Sequence, residues 1–86
     1  MVIGRSLAND NETPRFDLSP YNAQEKGVSR RHVILKRTPN SIVLEDMGSS
    51  NGTWVNGTLV LPFAPTPLQS GDHLRLGQFI MRIYLP

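Results

Sequence analysis

Apolar and polar positions alternate in the second half of the chain and not in the first. From residue 32 the period is two: His32-Val33-Ile34-Leu35-Lys36, then a turn at Pro39-Asn40, then Ser41-Ile42-Val43-Leu44-Glu45. Such runs predict β-strands. Thr53-Trp54-Val55 and Thr58-Leu59-Val60 are shorter β-forming runs. His73-Leu74-Arg75-Leu76 alternates again, and Gly77-Gln78 suits a tight turn. Phe79 to Leu85 puts Phe79, Met81, Ile83 and Leu85 on one face and Ile80, Arg82 and Tyr84 on the other. Val2-Ile3 reads as the end of a strand. Pro62, Pro65 and Pro67 predict a loop or an edge segment. Residues 6–28 have no sustained period and carry Pro14, Pro20 and Gly27. They predict a long irregular loop, with one helical turn near 20–26 and with Phe16, Leu18 and Val28 pinning it to the core. Short strands with Gly, Pro and Asn turns, and no convincing helical period, predict an all-β antiparallel sandwich.

Two Asn-Gly pairs stand close together in S-S-N-G-T-W-V-N-G, residues 49–57. Asn-Gly favours tight hairpin turns because both residues tolerate positive φ. Three residues between the pairs are too few for two fully paired hairpins. Asn56-Gly57 has β-forming runs on both sides and is the predicted hairpin. Asn51-Gly52 follows Asp46-Met47-Gly48-Ser49-Ser50, a loop rich in hydroxyls and amides.

Composition narrows the class. With 86 residues the chain is long enough for one small domain, read as spanning 1–86; hydrophobic content is 38% and charged content 19%. No apolar run can span a bilayer, no signal-peptide h-region is visible, and cysteine is absent. A cytoplasmic location is expected. The two histidines form no local metal pattern, so no metal or cofactor is expected. The net charge is only +2, yet Lys26, Arg30, Arg31, Lys36 and Arg37 cluster without an acidic residue between them. A local basic cluster in a nearly neutral chain favours a discrete anionic ligand over a long polyanion, while charge alone fits a solvated surface patch better still.

The chemistry-bearing pieces are weak one by one. Gly4-Arg5 joins a residue that allows close backbone approach to a planar fork suited to an oxyanion. Ser29-Arg30-Arg31-His32 stands where the long loop enters a strand, and His32 suits a structural hydrogen bond that holds the loop. No nucleophile–His pair and no P-loop is present, and Glu45 and Asp46 diverge as neighbours on a strand. An enzyme is not expected. Nucleic-acid binding through the basic cluster would need stacking aromatics, and these are scattered. Neither nucleic acid nor membrane is expected as a partner.

Taken in order, G-R, S-R-R-H, S-S-N-G-T-W-V-N-G and L-Q-S-G-D-H-L-R-L-G form a specific constellation. It resembles the forkhead-associated (FHA) domain, a phosphothreonine-peptide recognition module, from Ile3 to Tyr84. The resemblance implies an eleven-strand β-sandwich with binding loops at one end. It implies phosphopeptide contacts from Arg5, Ser29, Arg30, Ser50 and Asn51. It assigns Gly4, His32, Gly52, Asn56 and Gly57 to structural support of that site. The implied partner is a phosphothreonine-containing protein or peptide in signalling; the alternative is a phospho-independent interaction or oligomerisation module on the same fold.

Two features depart from the family. Only Met1-Val2-Ile3 precede Gly4-Arg5, so the family's first strand is expected to be lacking, and an open sheet edge would allow self-association. The segment from Arg5 to Ser29 is also longer than the family leads one to expect. That leaves two readings open: added peptide contacts, or an Arg5 displaced from the phosphate.

Overall fold

Alternation puts one face of strands such as those at 42–46 and 73–76 into a shared core, and the strands sort into two sheets. The computed structural model describes residues 1–5 and 15–85. Its strands are β1 (Val2–Gly4), β2 (Arg15–Asp17), β3 (Val33–Arg37), β4 (Ile42–Asp46), β5 (Thr53–Val55), β6 (Thr58–Leu59), β7 (Thr66–Leu68), β8 (His73–Leu76) and β9 (Phe79–Arg82). One sheet runs β2-β1-β3-β4-β7 and the other β6-β5-β8-β9. Every pairing is antiparallel except β1 with β2. The fold is the expected β-sandwich, with nine strands among the described residues where the resemblance implied eleven.

The core lies between the sheets. Ile3, Leu18, Val33, Leu44, Leu74 and Leu76 are all but completely buried. β9 and its continuation behave as their alternation requires. Phe79, Met81, Ile83 and Leu85 pack on the core, whereas Ile80 and Tyr84 stay exposed. Glu45 and Asp46 likewise part: Glu45 pairs with Lys36 at 2.8 Å and Asp46 turns inward. Thr66–Leu68, with Pro67 inside it, is an edge strand on β4, where a residue without an N–H is tolerated.

The predicted irregular loop needs correction. Its stretch 6–14 lies outside the described residues. Residues 15–17 are not loop: they form β2, in register with β1 through Val2–Arg15, Ile3–Phe16 and Gly4–Asp17. β1 is therefore flanked on both sides, by β2 and by β3. The helical turn is a 3-10 turn at Ser19–Tyr21, followed by turns to residue 27. Leu18 and Val28 pin this segment, joined by Ala23, and all three are buried. Phe16 does not; it is 44% exposed. On an edge strand its ring borders an open groove of about 730 Å³, which Ile3, Leu35, Met81 and Ile83 also line.

Candidate functional site

The site begins with a glycine that nothing else can replace. A Cβ on Gly4 would stand 2.1 Å from the Arg30 carbonyl oxygen and 2.6 Å from that of Ser29. Both are backbone atoms and cannot swing aside. The close approach sets β1 against the 28–31 loop. The Arg5 N–H donates to the Ser29 carbonyl at 3.2 Å, and Arg5 Nε donates to the Val28 carbonyl. The head of Arg5 thus lies along the loop that carries Ser29 and Arg30.

His32 ties this loop to the next. Its ring is wholly buried. Nδ1 accepts the Ser29 N–H at 3.0 Å, and Nε2 lies 2.8 Å from the Gly52 carbonyl oxygen. An acceptor at Nδ1 and a carbonyl at Nε2 select the neutral Nε2–H tautomer. Burial pushes the imidazole below its ordinary basicity, against the opposing pull of the Gly52 carbonyl and the Asp46 charge.

Asp46 organises the 47–52 loop from beneath. Its carboxylate accepts the Gly48 N–H at 2.9 Å, the Ser49 N–H at 3.0 Å and the hydroxyls of Ser49 and Thr53. Burial alone would raise this carboxyl. The hydroxyl and backbone donors outweigh it and hold the group below the usual carboxylate range. Ser49 Oγ in turn accepts the Gly52 N–H at 3.2 Å. On this frame the Ser50 N–H donates to Ser29 Oγ at 3.3 Å, and Asn51 Nδ2 donates to the Gly27 carbonyl at 2.9 Å.

A third loop closes against these two. The Gly77 N–H donates to the Gly52 carbonyl at 2.9 Å, and the Gln78 N–H to the Lys26 carbonyl at 2.7 Å. Gly77 has φ +61°, and a Cβ there would meet the Lys26 and Gly27 carbonyl oxygens at 2.7 and 2.8 Å. Beside this junction is a cleft of about 430 Å³, bordered by Lys26, Gly27, Asn51, Trp54, Arg75 and Gln78 among others.

Of the residues singled out in the sequence, Arg5, Ser29, Arg30, Ser50 and Asn51 come to one end of the sandwich, with Gly4, His32 and Gly52 among them. Asn56 and Gly57 do not. β5 runs antiparallel to β8 with Thr53 opposite Leu76 and Val55 opposite Leu74. The Asn56-Gly57 turn therefore stands beside Asp72 and His73, at the far end of β5. Any support it lends the loops passes through that strand. Among the described residues no three His, Cys, Asp or Glu side chains gather as a metal set.

Sequence reading gave Asp46 and Gly77 no role in the site, and it did not pair Trp54 with Arg75. Asp46 had a local signal, since an Asp followed by Met-Gly-Ser-Ser is a turn that its own carboxylate can cap. The other two depend on which strands become neighbours, and that is not local.

Comparison with known proteins agrees with this fold. The FHA domain family model matches residues 1–77. Protein FraH of Nostoc sp. is 37% identical over 77 residues, which are 90% of this chain and 26% of that protein. The chain spans between 14% and 34% of the length of the curated relatives it matches. A solved structure described as an analysis of phosphothreonine-dependent FHA domain interactions superposes with a TM-score of 0.66 at 31% identity, covering 99% of this chain and 76% of its own. The FhaA FHA domain, solved in complex with the intracellular domain of Rv3910, gives a TM-score of 0.61 at 32% identity, covering 92% of this chain and 72% of its own.

Proposed function

This chain belongs to the forkhead-associated family of protein-interaction modules, and we propose that it reads phosphothreonine in a partner protein or peptide. The observation that carries the reading is the contact of Ser29 Oγ with the Ser50 N–H, beside the loop along which the Arg5 head lies. It gathers a guanidinium, two serine residues and backbone N–H groups at one place. A phosphothreonine brings about −1.5 to −2 charges and three strong acceptor oxygens. Arg5 and Ser29 supply the charge-assisted bonds, with Ser50 and Arg30 adding further contacts. Asn51 keeps one amide N–H on Gly27. Its second N–H and its carbonyl oxygen suit the main chain of an extended peptide. The role is one of phosphorylation-dependent assembly in cytoplasmic signalling; the edge of β1, the route expected for self-association, is covered by β2.

The test is a titration of a degenerate phosphothreonine library by fluorescence anisotropy, against unphosphorylated and phosphoserine controls. Arg5→Ala is expected to weaken binding by tens-fold or more, since losing one partner of such a charge pair costs on the order of 2–5 kcal/mol. Full affinity in that variant removes Arg5 from the site. Equal binding of the unphosphorylated library makes the chain a phospho-independent module on the same fold.

A further inference from the structure

Strand alternation sends two residues out of the second sheet toward the cleft. Thr53 and Val55 are buried, and so are Leu74 and Leu76. Trp54 and Arg75, between them, must face outward, and the register sets them directly opposite each other. The Arg75 guanidinium lies 3.8 Å from the Trp54 ring centroid. The Trp54 ring also packs on Gly52, since a Cβ there would stand 2.9 Å from its Cη2. The Arg75 head is thus fixed on a ring that abuts the Asn51-Gly52 loop. Lys26, across the same cleft, has its ammonium 5.4 Å from the Phe79 ring centroid.

Among the described residues neither cation has a carboxylate partner. One carboxylate, Glu25, borders the cleft with them, so cations outnumber anions there. Stacking uses the face of a guanidinium and leaves its edge N–H groups for a planar acceptor. A carboxylate is the planar, bidentate acceptor that matches such an edge.

We propose that this cleft selects an aspartate or glutamate side chain a few residues from the phosphothreonine, with Arg75 as the specificity-determining residue and Lys26 as its support. The proposal rests on the phosphothreonine reading above. Asn51 borders the cleft and also belongs to the peptide-binding loops. An extended peptide held at Asn51 advances about 3.3 Å per residue, so a neighbouring side chain reaches Arg75 without a turn.

The probe is a set of alanine-background phosphothreonine peptides. A single Glu, its neutral counterpart Gln, or Lys is moved through each position on either side of the phosphothreonine. At one position Glu is expected to bind about five-fold more tightly than Gln, the worth of a well-oriented, partly exposed ion pair. Arg75→Gln is expected to erase that ratio, and Arg75→Glu to transfer the preference to Lys, with the all-alanine phosphopeptide bound as before. Phosphate-dependent binding in which Glu equals Gln everywhere overturns this proposal and leaves the functional reading intact. A Glu preference that survives Arg75→Glu overturns the assignment to Arg75. Binding that ignores phosphate overturns the functional reading and this proposal with it.

Discussion

The two Asn-Gly pairs stand at opposite ends of one three-residue strand and do different work. At the second, Asn56 and Gly57 both have positive φ, +50° and +83°. That is the mirror-image turn a two-residue hairpin requires. Nothing lies within 4 Å of where a Gly57 Cβ would be. The Asn56 side chain donates to Asp72 at 3.0 Å and accepts the His73 N–H at 2.9 Å. At the first pair only Gly52 has positive φ, +87°. Its carbonyl meets both the His32 ring and the Gly77 N–H, and Asn51 reaches across to Gly27. The dipeptide decides which backbone shapes are open. Its neighbours decide whether the shape closes a hairpin or joins three loops.

The contrast can be broken most sharply at His32. His32→Ala leaves the Ser29 N–H unpaired and the Gly52 carbonyl with the Gly77 N–H alone, beside a cavity. A loss of about 3–4 kcal/mol is expected, read from urea unfolding. The Asn56-Gly57 hairpin makes no contact with this ring and offers no comparable single point of failure. Next come the glycines. Gly52→Ala meets both a positive φ and the Trp54 ring, for about 2–3 kcal/mol, while Gly57→Ala meets only the φ, for about 1 kcal/mol. Equal losses would erase the distinction between a packed turn and an open one.

The asparagines separate binding from stability. Asn56→Ala is expected to cost about 1 kcal/mol of stability and leave phosphopeptide affinity alone. Asn51→Ala is expected to cost no more stability than that, yet about ten-fold or more in affinity. Both are read by pairing thermal unfolding with anisotropy. The smallest effect is the response to acid. Because His32 is less basic folded than its ordinary value of 6.5, the unfolded chain binds its proton more readily. The stability from the neutral ring is whole above pH 6.5 and is lost as pH falls below it toward the folded value. Asp46, also held low, adds its own loss only in the carboxylate range. Urea midpoints from about pH 7.5 down to about pH 5.5 should fall in the native chain and stay flatter in His32→Gln.

Much of the sandwich was legible because β3, β4, β8 and β9 each bury alternate side chains, and a period of two survives in the sequence. β2 was not legible. Arg15-Phe16-Asp17 is too short for a period to register, and its partner, β1, is parallel to it rather than joined by a hairpin. β7 was half legible, since Pro67 signalled an edge without naming the strand. Of the residues the ordered motifs had picked out, Arg5, Ser29, Arg30, Ser50 and Asn51 lie at one end of the sandwich, and Asn56 and Gly57 lie at the far end of β5. Asp46 stayed hidden because a strand-end carboxylate is more often solvated than buried under a loop. The Trp54–Arg75 pair stayed hidden because the two residues meet only once β5 and β8 lie side by side.

The imidazole between Ser29 and Gly52 also has a consequence in time. It holds two loops as one body, so on the proposed phosphopeptide reading little backbone freedom remains to be lost on docking. Association is then set by diffusion and charge, and it should differ little among peptides. Discrimination among them falls to how long each one stays.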